Sequence, residues 1–282
     1  MKAMTSATSI DITVGSFTFD ALVSGPADGT PLLALHGFPE SASSWSLVMP
    51  FLTDAGYRVI APNQRGYAAG ARPEGVDAYR VEHLVGDVVG ILDALDIDSA
   101  HLVGHDWGSA VAWQVAGSHP DRVRTLTAVS VPHPAAFGWA LREDDDQKKR
   151  SSYIGLLRQE GKAESLLSED KFRRLRTMFD GRIDPDIADE HIRVLSGDGA
   201  LTGALNWYRA MTRDFGDIAA TTVPTTYVWS TGDAALGRAG AERCGEYVDA
   251  PYTFVVLDGV SHWIPQERPE DLAQAIIERA RS

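Results

Sequence analysis

A single cysteine in 282 residues, Cys244, excludes an internal disulfide, and no Cys or His neighbours surround it at metal-ligand spacing. It reads as a partly buried small hydrophobe. No apolar run is long enough to span a membrane, and the opening MKAMTSATSIDI lacks the apolar core of a signal peptide. These absences point to a cytoplasmic protein with no membrane partner. Basic residues are also outnumbered: 26 Lys and Arg against 39 Asp and Glu leave a formal net charge of −13. Such a chain repels a phosphate backbone, so nucleic acid is not an expected partner. No cluster of His, Cys, Asp and Glu suggests a metal site. There is no internal repeat and no low-complexity segment.

What remains is an ordinary globular composition, 44% hydrophobic and 23% charged. The length suits one large α/β domain, or a core domain with an insertion, and buries a core without staples. SIDITVGSFTFDALVSG alternates apolar and polar residues around Val14-Gly15-Ser16, the pattern of an antiparallel hairpin. PLLALHG is a continuous apolar run, as in a strand covered on both faces. Helices are then expected over Ser44 to Ala55, Tyr79 to Leu95 and Trp107 to Ser118. Strands are expected over Arg58 to Ala61, Ala100 to Gly104 and Arg124 to Ser130. That rhythm means a mostly parallel sheet with helices on both faces.

The rhythm stops after Val131-Pro132-His133-Pro134 and resumes with PTTYVWS at 224 to 230, a helix near 236 to 248, YTFVVL at 252 to 257 and a last helix from Pro269 to Arg281. The reading is a core formed by residues 1–131 and 218–282, with a helical cap over 132–217. The charged run REDDDQKKR inside the cap reads as a solvated surface. A cap at this place covers the carboxyl edge of the sheet, where open α/β sheets bind ligands.

One stretch carries chemistry. GHDWGSAVAW at 104 to 113 sets Asp106 between Gly104 and Gly108, where the G-x-S-x-G elbow of many hydrolases has its serine. A strand precedes it and a helix follows, the context that lifts a nucleophile above the sheet; the plainer role is a helix N-cap. In this architecture the nucleophile is followed by an acid and then a histidine. Asp233, in Thr231-Gly232-Asp233 after one strand, supplies the acid, and His262, in DGVSHW after the next, supplies the base. Asp258 is a rival acid that caps its own turn more easily. His36 belongs to the loop after the PLLAL strand, His83, His101 and His119 read as packing or surface residues, and alternation points His105 away from the site. His133 and His191 fall in the insertion without a recognisable acid partner. Backbone amides of Phe38, after the PLLAL strand, and Trp107, after the nucleophile, would form an oxyanion hole.

HGFPES at 36 to 41, APNQRGY at 61 to 67, GHDWG, LNWYR at 205 to 209 and GVSHW at 259 to 263 together resemble the α/β-hydrolase fold, and within it the epoxide hydrolases. The resemblance implies no cofactor, and two cap tyrosines that donate hydrogen bonds to the epoxide oxygen; Tyr208 in LNWYR and Tyr153 in SSYIGLL match them. It implies that small-molecule epoxides and water are the partners, and leaves room for a homodimer. NQRGYAAG at 63 to 70 departs from relatives that begin this loop with aspartate, and reads as structural. An aspartate nucleophile suits attack at saturated carbon, because the resulting ester keeps a carbonyl that water can attack, whereas a serine would leave an ether. Phe38, Trp107 and Trp263 are expected against the substrate, with Phe137, Trp139, Leu156, Met178 and Phe179 as further apolar candidates. Haloalkane dehalogenases share the Asp-Trp pair, but Phe38 stands where they commonly have a second halide donor. A protein that kept the fold and lost turnover is the third alternative.

Overall fold

Alternating residues make the first two strands, Thr8–Val14 (β1) and Phe17–Ser24 (β2), which pair antiparallel in the register Thr8↔Val23 to Val14↔Phe17. The turn between them passes through Gly15 at φ +59°. The computed structural model describes residues 7–216 and 218–282. Part of the N-terminal stretch, residues 1–6, and the Asp217 end of the expected cap lie outside those residues. Six further strands follow: Thr30–Leu35 (β3), Tyr57–Pro62 (β4), Ala100–His105 (β5), Val123–Val129 (β6), Thr225–Ser230 (β7) and Tyr252–Leu257 (β8). They form one sheet in the order β1-β2-β4-β3-β5-β6-β7-β8. All pairs from β4 through β8 are parallel.

The helices of the first half are Met49–Asp54 (α1), Val81–Ala94 (α2) and Trp107–Ser118 (α3). Those between β6 and β7 are Pro134–Glu143 (α4), Asp145–Arg150 (α5), Ile154–Leu157 (α6), Lys162–Met178 (α7), Pro185–Leu195 (α8) and Ala200–Ala210 (α9). Arg238–Arg243 (α10), Ile264–Glu267 (α11) and Pro269–Arg281 (α12) complete the chain. The expected helix over Ser44 to Ala55 is divided into a 3₁₀ turn, Ala42–Trp45, and α1, whose second residue is Pro50. Proline lacks the N–H that a continuous helix needs, so the helix restarts there. The helix expected near 236 to 248 is likewise α10 followed by the 3₁₀ turn Cys244–Tyr247.

Strand pleating divides the core in two. Leu33, Leu35 and Leu102 pack with Leu84, Ile91 and Val111 of α2 and α3, while Leu32, Ala34 and Val103 pack with Leu52 of α1 and Leu272 and Ile276 of α12. Successive residues of a strand thus feed opposite faces, and each fully buried leucine or isoleucine contributes about 1.5–3 kcal/mol. No helix among the described residues is long and apolar enough to cross a membrane.

The helices between β6 and β7 are tied to the sheet by specific contacts. The Trp207 indole of α9 donates to the Arg65 carbonyl at 2.9 Å. Gly66 and Gly203 meet backbone to backbone, so that a Cβ on Gly203 would lie 2.7 Å from Gly66 Cα. The NQRGY loop therefore supports the helix that carries Tyr208. The charged run at 142–150 is more than a solvated surface: Gln147 is buried, its amide donating to the Ala235 carbonyl at 2.8 Å and accepting from the Gly237 amide at 2.7 Å. Arg150 donates to the carbonyl of Asp233. Helical spacing puts one face of this run against the loop after β7, which its charge alone did not reveal.

Candidate active site

β3 runs next to β5 at the centre of the sheet, and from there the chain crosses to opposite sides, which opens a crevice at the carboxyl ends of the two strands. Asp106 sits in that crevice. It occupies the N-cap position of α3 at φ +53°, ψ −121°, and its side chain makes no cap hydrogen bond. A non-glycine residue at positive φ costs about 1–3 kcal/mol and is held only where its surroundings over-determine it. Gly108 provides that constraint: a Cβ there would lie 2.1 Å from the Leu35 carbonyl oxygen, so only glycine lets α3 start so close to β3.

The freed carboxylate meets two partners. The Phe38 amide, in the loop after β3, donates to Asp106 Oδ1 at 2.8 Å. His262 Nε2 lies 3.5 Å from Asp106 Oδ2, and its Nδ1 lies 2.8 Å from Asp233 Oδ2. Asp233 Oδ1 accepts from the amides of Ala235 at 2.8 Å and Leu236 at 3.0 Å, which fixes the carboxylate after β7. The Asp233 carboxyl is held below its ordinary range: burial pushes it up, but the His262 charge and these hydrogen bonds prevail. Burial likewise disfavours charge on His262, yet Asp233 and the bond to Asp106 raise its pKa well above that of a free imidazole. Asp258, the rival acid, accepts instead from the Thr231 hydroxyl at 2.7 Å. The Trp107 amide opens α3, among the first-turn donors that have no intrahelical acceptor.

Above the carboxylate, a narrow cavity of about 40 Å³ is lined by Asp106, Trp107, Tyr153, Tyr208, Phe137 and Phe215, among others. Tyr208 comes from α9 and Tyr153 from the 3₁₀ turn Ser151–Tyr153. The Tyr208 ring packs edge-on to Trp107 and to Tyr153, with centroids 5.1 and 6.4 Å apart. Burial and the nearby Asp106 charge raise both phenols above their ordinary range, so both keep their protons at neutral pH. The Phe38 ring, which does not itself line the cavity, packs edge-on to Tyr208 with centroids 5.4 Å apart.

Other expected pocket residues lie elsewhere. Trp263 does not line this cavity: it packs with Phe179 and Ile183, and its indole donates to the Met178 carbonyl at 3.2 Å. Its ring touches the imidazole of His262, with centroids 5.0 Å apart. Trp139 lies under the Arg243 guanidinium, Leu156 is half-buried away from the cavity, and Met178 is exposed. Met211, Leu236 and Ile154 line the cavity in their place. Large apolar residues are poor markers of a pocket because most of them fill the core. Among the described residues there is no group of metal-ligating side chains. Cys244 is fully buried, and burial pushes its thiol up to about 12.

A buried network lies behind His262 that the sequence pattern does not reveal. His105 points away from the cavity, and its Nδ1 lies 2.7 Å from Glu40 Oε2 while its Nε2 lies 2.9 Å from the His262 carbonyl oxygen. The Gln266 amide donates to the other Glu40 oxygen. Burial alone would raise the Glu40 carboxyl, but the His105 ring beside it takes it down to about 2. The one signal in the sequence is an acid inside HGFPES, a segment otherwise suited to burial.

The α/β hydrolase fold family model matches residues 30–269 of the chain. Epoxide hydrolase A of Mycobacterium tuberculosis is 34% identical, over 89% of this chain and 90% of that protein. The AB hydrolase superfamily protein YfhM of Bacillus subtilis is 33% identical, over 95% and 96%. The crystal structure of Epoxide Hydrolase A from Mycobacterium thermoresistibile superposes with a TM-score of 0.85 at 32% identity, covering 98% of this chain and 99% of that one. The chain belongs to the α/β-hydrolase fold family, alongside the epoxide hydrolases among these relatives.

Proposed function

We propose that the chain is an epoxide hydrolase that forms a covalent ester at Asp106 beneath a cap made by residues 132–217. The observation that carries this reading is one cavity holding both a carboxylate nucleophile and two protonated phenols, Tyr153 and Tyr208. A carboxylate oxygen of Asp106 attacks an epoxide carbon, and the carbon–oxygen bond of the ring breaks. The departing oxygen takes a proton from the tyrosine pair, which general-acid chemistry of this kind accelerates about 10²–10⁴-fold.

Ester formation also acts on the base. One of the two carboxylates that hold the proton on His262 loses its charge when Asp106 is alkylated. His262, still oriented by Asp233, then gives up that proton and accepts one from water as the water attacks the ester carbonyl. The Phe38 and Trp107 amides receive the charge on the carbonyl oxygen. Collapse passes the remaining water proton to the departing diol oxygen and restores Asp106; the proton that His262 gave up first re-protonates the tyrosinate through solvent, and the one taken from water leaves His262 as it began. Water and epoxide are consumed in equal amounts, and no cofactor enters the balance.

A halide-displacing reaction uses the same nucleophile but needs donors free to hold the leaving halide. Here Phe38, whose ring packs edge-on to Tyr208, presents a hydrocarbon where a second donor would be needed.

The test is a single turnover of an aryl epoxide such as styrene oxide in ¹⁸O-labelled water, with enzyme in excess. The first diol is expected to carry the unlabelled oxygen of Asp106, the label appearing in Asp106 and reaching diol only in later turnovers. His262→Ala is expected to stall with a covalent mass increase, and Asp106→Ala to give no product. Immediate entry of label into the diol would replace the covalent route with direct attack by water. Halide release from a haloalkane without diol from any epoxide would favour displacement.

A further inference from the structure

The cavity above Asp106 shares part of its wall with a second space. Phe137, Met211 and Phe215 separate it from a groove of about 790 Å³, whose other walls include Pro134, Leu141 and Thr212. Three arginines also line that groove, Arg142, Arg158 and Arg209, and among the described residues no Asp or Glu does. In a chain with a net charge of −13 this is the opposite of what surface composition supplies. Arg209 is neutralised by Glu164, whereas Arg142 and Arg158 have no carboxylate partner among the described residues. Arg209 pairs with Glu164 at 2.8 Å, but its buried Nε has no hydrogen-bond partner. Arg158 donates to the carbonyls of Met211 and Arg209, dipoles that orient the guanidinium without neutralising it. Arg142, exposed on α4, has no ion pair or hydrogen bond with any described residue.

We infer that this groove receives the distal end of the substrate and that the substrate is an amphiphilic epoxide with an anionic group at that end. The inference rests on the epoxide reading above and specifies the class of epoxide. An apolar body passes between Phe137 and Phe215, with the oxirane at Asp106 and the anion near Arg142 and Arg158. Guanidinium groups bind carboxylate, sulfate and phosphate oxygens through a planar fork of donors, whereas a neutral chain end gains nothing from them. The arginines also offset, at the entrance, the repulsion that the acidic surface exerts on an incoming anion.

The test uses two aryl glycidyl ethers of equal size, one with a para-carboxylate and one with a para-carboxamide, hydrolysed by wild type, Arg142→Lys and Arg142→Glu. At low salt the wild type is expected to favour the carboxylate by about tenfold in kcat/KM, mostly through KM, with the preference fading at high salt. Arg142→Lys is expected to keep most of that ratio, and Arg142→Glu to abolish or invert it. A wild type without preference, or a ratio unchanged in Arg142→Glu, overturns the inference. Equilibrium binding of the two corresponding diols provides a second readout that needs no turnover. If neither ether is hydrolysed while the carboxylate diol still binds more tightly through Arg142, the epoxide reading fails and the anion site stands. If the diols bind equally, the anion site fails.

Discussion

His105 stands directly behind His262, with ring centroids 4.8 Å apart and its Nε2 2.9 Å from the His262 carbonyl oxygen. The other nitrogen faces Glu40, so a buried chain runs from Gln266 through Glu40 and His105 to the backbone of the proposed base. Glu40→Gln keeps the shape and removes the charge. Leaving one member of a buried pair without its partner costs about 3–5 kcal/mol. The expected outcome is lower thermal stability and about a tenfold slower ester hydrolysis, with covalent enzyme accumulating in rapid-quench mass spectrometry. Equal slowing of ester formation would show that the network acts on the whole site rather than on His262.

Tyr208→Phe and Tyr153→Phe separate the two half-reactions in the other direction. Each removes a donor to the departing oxygen and leaves Asp106, Asp233 and His262 in place. Stopped-flow measurement of ester formation is expected to show a loss of about 10²-fold or more for each, with hydrolysis of preformed ester little changed. The Tyr208 variant should be the more affected, because its ring packs against both Trp107 and Phe38 beside Asp106. A variant whose hydrolysis step falls in parallel would place that tyrosine in a different role.

Much of this arrangement is legible in the sequence. GHDWG between an apolar strand and a helix marks Asp106 as the proposed nucleophile, since only glycines allow the backbone approach seen at Gly108. Asp233 and His262 follow because each ends a recognisable strand at the same edge of the sheet. What escapes is whatever depends on packing between distant segments. Glu40 meets His105 across 65 residues, and Gln147 meets the loop after β7 across 88. No local pattern announces either contact. Trp263 illustrates the converse: its place beside His262 in sequence suggests a substrate wall, yet packing turns its ring toward Phe179.

Four buried histidines set the acid limit of the fold. Burial lowers His36, His101, His133 and His191 to about 4, below the ordinary 6.5. The unfolded chain therefore binds protons more readily than the native one in this range. Their contribution is complete above pH 6.5 and is lost as pH falls from there toward 4, with a slope of up to about 1.4 kcal/mol per pH unit for each histidine. Urea unfolding at a series of pH values is expected to show stability falling steeply between pH 6.5 and 4. The Glu40 carboxyl, held at about 2, adds a further loss only below its ordinary value of 4.5. A flat profile down to pH 4.5 would mean that these histidines are protonated in the native state.

The last prediction concerns the timing of the base. In the free enzyme His262 lies between Asp106 and Asp233, and both raise its pKa. An imidazolium cannot accept a proton from water, so the same arrangement that orients the ring also keeps it idle until Asp106 is esterified. Ester formation is therefore expected to be insensitive to pH across the neutral range, and ester hydrolysis to rise with pH through one ionisation. Asp106→Asn imitates the ester by removing the charge while keeping the size. An NMR titration of His262 in this variant is expected to give a pKa about one unit or more below that of the wild type, the size of shift that loss of a neighbouring charge produces. An unchanged value would mean that Asp233 alone controls the ring, and alkylation could not be what releases the base.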